Sequence, residues 1–189
     1  MESKTQYQHA LVVGGSGMLL ETSLGLRNIA THVSVVSRHA KTALCDYDGL
    51  RPITADYNRI EETLEKIDNE TQTLGQIDLV VSWIHSSSPL APFKIAEGLS
   101  TNVDNLDFYD VLGSAAANPA APDFLKERSK GFKNYPNVKY HSVILGFAIE
   151  GKHSRWLTNS EIGNGVLSAI RLNSPSYVVG KTDPWKMRP

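Results

Sequence analysis

The 189-residue chain sets 19 lysines and arginines against 20 aspartates and glutamates, scattered rather than clustered, and its 41% apolar content is that of a globular domain with a sizeable core. The even charge excludes a basic face for nucleic acid, no apolar run approaches the ~18 residues of a membrane span, and residues 1–10 lack the layout of a secretory signal, so the cytoplasm is the expected location. A single cysteine, Cys45, excludes an internal disulfide and a cysteine-built zinc site.

Residues 10–13, ALVV, are a short apolar run ended by glycine, as a buried strand would be, and the residues after it place Leu19, Ser23, Leu26 and Ala30 on one helical face. Further strands are expected over 32–38, 51–56, 77–84, 107–113 and 140–147, with a seventh over 176–180. Between the third and fourth, Ile60, Leu64, Ile67, Thr71 and Leu74 alternate steps of four and three, the clearest amphipathic helix in the chain. Near the end, TNSE at 158–161 reads as a capping box, followed by Ile162, Val166 and Ile170 at steps of four. Residues 113–122, rich in alanine and proline, read as a loop. No repeat or linker interrupts the pattern, so a single domain over residues 1–189 is expected. Strands alternating with helices imply one Rossmann-type α/β domain: a doubly wound parallel sheet of six or seven strands, helices on both faces.

In such a sheet the turn after the first strand faces the ligand crevice. Gly14, Gly15 and Gly17, with Ser16 and Met18 between and after them, let the backbone approach an anion and point N–H groups at it. The cluster follows a strand and opens a βαβ unit, the context a dinucleotide fingerprint requires. Leucine at position 20 stands where the third glycine of that fingerprint would pack helix on strand, so the helix should sit slightly farther away. No acid lies between Glu21 and Asp46; instead Ser37 and Arg38 occupy the tip of the second strand, where a basic residue suits the 2′-phosphate of NADP(H). The alternative for Arg38 is an ordinary solvated arginine. Asp56 could bond the adenine amino group, cap the following helix, or do both.

Together these stretches resemble the short-chain dehydrogenase/reductase superfamily, particularly its small bacterial Rossmann members, over most of the chain. ALVVGGSGML is similar to the family's first strand and turn, VSVVSR to an NADP-type second strand, TADY to the adenine side, and DLVVSWIHS, VLGSAA and VILGF to the fourth, fifth and sixth strands. The SRWLT segment and PWKMRP tail resemble a smaller group within it. The resemblance implies hydride transfer between a nicotinamide and a small carbonyl or alcohol. It sets Ser114 at the catalytic serine position and Gly146, with Phe147, at the nicotinamide contact.

Family enzymes move the proton with a tyrosine four residues before a lysine, on a helix after the fifth strand. Tyr135-x-x-x-Lys139 has that spacing, but Pro136 and the flanking asparagines break a helix and Lys139 abuts the sixth strand, so the pair is rejected. About 22 residues separate the fourth strand from the fifth and about 26 the fifth from the sixth, which reads as a reduced core. His85, after the fourth strand, is the natural substitute acid, or else it bonds a loop carbonyl. Ser114 orients a substrate oxygen or caps a turn, and Trp83 is core or pocket wall. Arg155 and Trp156 close over an anion, or are a surface arginine and a buried tryptophan. No metal-ligand spacing, nucleophile elbow or phosphate-loop lysine is present.

Two functions follow: an NADP(H)-dependent oxidoreductase using His85, or a water held by Ser114, and a non-catalytic NADP(H)-binding sensor or regulatory module. A third reading keeps the fold with another ligand, such as a methyl donor or a nucleotide sugar. The partner is a small molecule, a homo-oligomer is compatible with the sequence, and the basic tail at 181–189 docks on a neighbour or stays loose.

Overall fold

The computed structural model describes residues 6–84 and 88–189. Seven strands form one parallel sheet: β1 (Tyr7–Val13), β2 (Ala30–Ser37), β3 (Arg51–Thr54), β4 (Leu79–Ser82), β5 (Leu106–Gly113), β6 (Val138–Leu145) and β9 (Ser176–Val179). They lie in the order β3-β2-β1-β4-β5-β6-β9, with the switch of winding direction between β1 and β4. A separate antiparallel hairpin, β7 (Phe147–Glu150) and β8 (His153–Trp156), follows β6. The expected sixth strand is therefore two: it stops at Leu145, Gly146 breaks it, and Phe147 pairs instead with Trp156 and Lys181.

Alternation along the strands builds the two apolar layers. Ala10 and Val12 of β1 join Leu79 and Val81 of β4 in one core, while Leu11 and Val13 join Val80 in the other. The first layer is covered by α1 (Leu20–Leu26), α2 (Ala40–Ala43) and α6 (Asn159–Arg171), the second by α3 (Ile60–Leu74), α4 (Ala91–Ser100) and α5 (Phe124–Phe132). In α3 the fully buried positions are Thr63, Ile67 and Thr71, with Ile60 and Leu64 partly covered at the margin. The expected capping box is formed: Glu161 N–H donates to Thr158 Oγ1, and Thr158 N–H donates to the Glu161 carboxylate at 2.8 Å.

Two expectations give way to the geometry. Ala30 opens β2 rather than closing α1, because α1 ends at Leu26 and a short turn returns the chain to the sheet. The alanine-rich stretch after β5 begins with a 3₁₀ turn, Ser114–Ala117, before it becomes loop. α1 and α6 pack against each other through small residues: a Cβ on Gly163 would fall 2.7 Å from Glu21 Cβ, and one on Gly25 would overlap Leu167. A buried ion pair joins the second layer to the sheet, with Arg128 of α5 donating to both oxygens of Asp110 on β5, while Tyr140 Oη donates to the same carboxylate at 3.1 Å. Among the described residues no helix is long and apolar enough to cross a membrane.

Candidate functional site

The glycine turn does two separate jobs. Gly14 adopts φ +79°, and a Cβ there would lie 2.5 Å from Trp83 O, so backbone conformation and contact both demand glycine. Gly15 is buried, and its added Cβ would fall 2.6 Å from Val12 Cγ1 and 2.8 Å from Ser23 Oγ, which itself donates to Gly15 O. The close approach of helix to strand is thus made at Gly15 and Ser23, and Leu20 merely opens α1. Gly17 differs from both. It is exposed, its φ lies outside the left-handed region, and an added Cβ would meet nothing within 4 Å. Gly14 N–H is spent on Val36 O, whereas among the described residues the N–H groups of Gly15, Ser16, Gly17 and Met18 donate to no acceptor.

These groups border a cleft of about 300 Å³ at the carboxyl ends of four strands. Gly14, Ser16, Gly17 and Met18 form one side, and Ser37, Arg38 and His39 at the end of β2 form another. Tyr57 and Trp83 complete it. Ser16 Oγ donates to Ser37 Oγ at 2.7 Å, tying the turn to the β2 tip. Arg38 is exposed and also borders a neighbouring cleft with Asp56. Asp56 itself accepts from Asn58 N–H at 3.0 Å and from Asn58 Nδ2 at 2.8 Å; the Asn58 N–H bond, with Arg38 and Arg59 adding to it, holds its carboxyl below the usual range. Its observed work is to cap the turn that leads into α3.

Trp83 is a wall shared by two spaces. Its indole runs from near Gly14, where Cδ1 lies 3.5 Å from the position of an added Cβ, to near Gly113 on β5, where Cη2 lies 3.8 Å from another. Beyond it opens a more apolar cleft of about 380 Å³ between the ends of β4 and β5 and helices α4 and α5, bordered by Pro92, Leu112, Phe124 and Arg128. His85 lies outside the described residues.

Ser114 and Gly146 lie apart from the first cleft. Ser114 is buried, and its Oγ accepts from Arg188 Nε at 2.7 Å. Gly146 is buried under the C-terminal segment, where a Cβ would overlap Lys181 O. The tail folds back over this chain: Phe147 and Lys181 exchange backbone hydrogen bonds of 2.9 Å, residues 185–187 form a 3₁₀ turn, and Arg188 reaches Ser114. Trp156, for which burial is one of the two expected readings, is 47% exposed and lies beneath the Arg188 guanidinium. Arg155 is neutralised by Glu150 and Glu161, its hydrogen bonds being the main reason the Glu161 carboxyl falls to about 2.

No tyrosine occurs in α5, the helix after β5. Tyr135 and Lys139 lie at the opposite end of the sheet, Tyr135 in the turn before β6 and Lys139 within that strand. Sequence reading overlooked Tyr57, which borders the cleft immediately after Asp56, and Arg188; the first carried a signal in its adjacency, the second none, since only the fold-back of the tail brings it to β5. Among the described residues no group of three metal-binding side chains occurs.

No family model and no curated protein matches the chain. Solved structures do. A short-chain type dehydrogenase/reductase from Mycobacterium marinum aligns over 95% of this chain and 96% of its own with TM-score 0.74 and 16% identity. A citronellol catabolism dehydrogenase from Pseudomonas aeruginosa aligns over 95% of both chains with TM-score 0.71 and 15% identity. For a 2-keto-3-deoxy-D-gluconate dehydrogenase from Streptococcus agalactiae the figures are 95% and 94%, TM-score 0.68 and 12% identity. The fold is thus shared with these structures across nearly their full lengths: the chain has the short-chain dehydrogenase/reductase fold.

Proposed function

We propose that the chain is an NADP(H)-dependent oxidoreductase of the short-chain dehydrogenase type, acting on a small carbonyl or alcohol in the cytoplasm. The observation that carries this reading is Gly17: the fold does not require glycine there, and the adjoining N–H groups are unspent, so the residue leaves room for an anion to approach the backbone. The turn from Gly14 to Met18 would hold the diphosphate, with Gly15 shaping it from beneath. Ser37 and Arg38 would hold the 2′-phosphate, a role suited to a guanidinium that, among the described residues, has no carboxylate hydrogen-bonded to it. Tyr57 and Trp83 would supply aromatic walls of that cleft, and Asp56, on the neighbouring cleft that Arg38 also borders, would meet the adenine. When bound, the nicotinamide supplies or accepts the hydride. Ser114 would orient the substrate oxygen and His85 would move the proton; Gly146 supports that end of the crevice through its packing on Lys181.

Calorimetric titration with NADPH and NADH tests the binding half. NADPH binding that weakens toward the NADH value in Arg38→Ala supports it, and no heat from either coenzyme refutes it. NADPH turnover over a carbonyl panel, abolished by His85→Ala with binding intact, tests the chemistry. Two observations favour a second reading, the non-catalytic NADP(H) sensor: α5 lacks tyrosine, and the Ser114 hydroxyl oxygen is engaged by Arg188. Tight NADPH binding with no carbonyl reduced would select it.

A further inference from the structure

Arg188 is a cation presented with great economy of contacts. Its Nε donates to Ser114 Oγ at 2.7 Å, and its guanidinium lies 5.1 Å from the Trp156 ring centroid and 5.3 Å from that of Trp185. Both indoles hold it by cation–π attraction, and the serine fixes its orientation. The residue is nevertheless exposed, and among the described residues its Nη1 and Nη2 donate to no acceptor and no carboxylate lies within ion-pair distance. Arg155, on the same hairpin as Trp156, is the contrast: Glu150 takes its Nε and Glu161 both its terminal nitrogens. One arginine of this region is saturated by the fold, and the other keeps its two-pronged edge open at the carboxyl end of β5.

We propose that Arg188, braced by Ser114 between Trp156 and Trp185, is the receptor for the carboxylate of a small organic acid, so that the substrate is an oxo or hydroxy acid. The open Nη1–Nη2 edge matches two carboxylate oxygens through parallel charge-assisted hydrogen bonds. The aromatic walls favour a weakly hydrated monoanion with an organic body over inorganic phosphate, whose removal from water is costlier. The position is separate from the coenzyme cleft, since the Trp83 indole runs between Gly14 and Gly113, the residue before Ser114. A carboxylate on Arg188 leaves the rest of the molecule beside the Ser114 hydroxyl, which still has its own proton to donate.

This inference rests on reading the crevice as a substrate site, and its test is read apart from the coenzyme. The chain has three tryptophans, so their indole N–H signals can be followed individually by NMR. Titration of the full chain with 2-oxopropanoate should shift the Trp156 and Trp185 signals saturably, whereas propanamide and inorganic phosphate should not. Arg188→Gln should weaken the response about tenfold or more and Arg188→Lys less, while the urea midpoint falls only slightly as Ser114 Oγ loses its donor and the chain stays folded at the assay temperature. NADPH should instead shift Trp83, and its affinity should survive in Arg188→Gln. Equal shifts from amide and acid, tighter binding of phosphate, or an unchanged response in Arg188→Gln would overturn the carboxylate assignment. A Trp83 signal unmoved by NADPH would count against the coenzyme reading alone.

Discussion

Alanine at position 17 separates what the glycine turn does for the fold from what it does for a ligand. An added methyl there meets nothing within 4 Å, and the backbone is not left-handed, so the substitution is free of clash and strain. Through the reduced entropy of the unfolded chain it should stabilise the protein by about 0.4–1 kcal/mol, or roughly 1–4 °C for a domain of this size. The methyl adjoins N–H groups that, among the described residues, have no acceptor, and an anion bound to them would have to accommodate it. A tenfold loss of NADPH affinity corresponds to about 1.4 kcal/mol, a modest demand for such an obstruction. Gly14→Ala is the opposite case: φ +79° and the 2.5 Å approach to Trp83 O should cost about 1–3 kcal/mol of stability whatever the ligand. Urea unfolding and calorimetry on both variants provide the check. Wild-type NADPH affinity in Gly17→Ala would refute the assignment of residue 17 to the ligand, and a lowered urea midpoint would refute the reading of its surroundings as open.

Two further outcomes concern stability. Arg128→Ala should cost about 3–5 kcal/mol in urea unfolding, because Asp110, nearly fully buried, would keep only the Tyr140 hydroxyl, and the double substitution Asp110→Leu/Arg128→Met should recover much of that loss. His9 is buried, donates from Nδ1 to Gly75 O at 2.9 Å and meets Ser34 Oγ through Nε2, and burial lowers its pKa. Below the unfolded value of about 6.5 the unfolded chain therefore takes up a proton that the folded chain refuses, so stability should fall as pH drops from 7 toward 5.5, by at most about 1.4 kcal/mol per unit. His9→Gln should be less stable at pH 7.5 and should flatten that limb; an unchanged slope in the variant would assign the effect elsewhere.

The sheet was legible because each strand carries its own local signal. VVGG and LVVSW announce apolar runs that end in a turn, and Thr158 with Glu161 announces a helix start through contacts only three residues apart. Seven of the expected coenzyme residues border one cleft for the same reason, since the carboxyl ends of parallel strands converge wherever the sheet is doubly wound. Long-range contacts left no such trace. Gly146 has the look of a residue cleared for a nicotinamide, but it is cleared for Lys181, thirty-five positions on, and no local pattern distinguishes the two. Arg155 attracted notice beside an aromatic residue, yet the glutamates that neutralise it and the Arg188 that replaces it on Trp156 are set by the hairpin and the returning tail.

The packing of α6 on α1 bears on how the chain is made. During synthesis on the ribosome, β1 and α1 emerge long before Asn159–Arg171, the helix that packs on α1. Until then the layer under α1 and α2 lacks its third covering helix, so chains truncated before residue 159 should be retained by chaperones or aggregate.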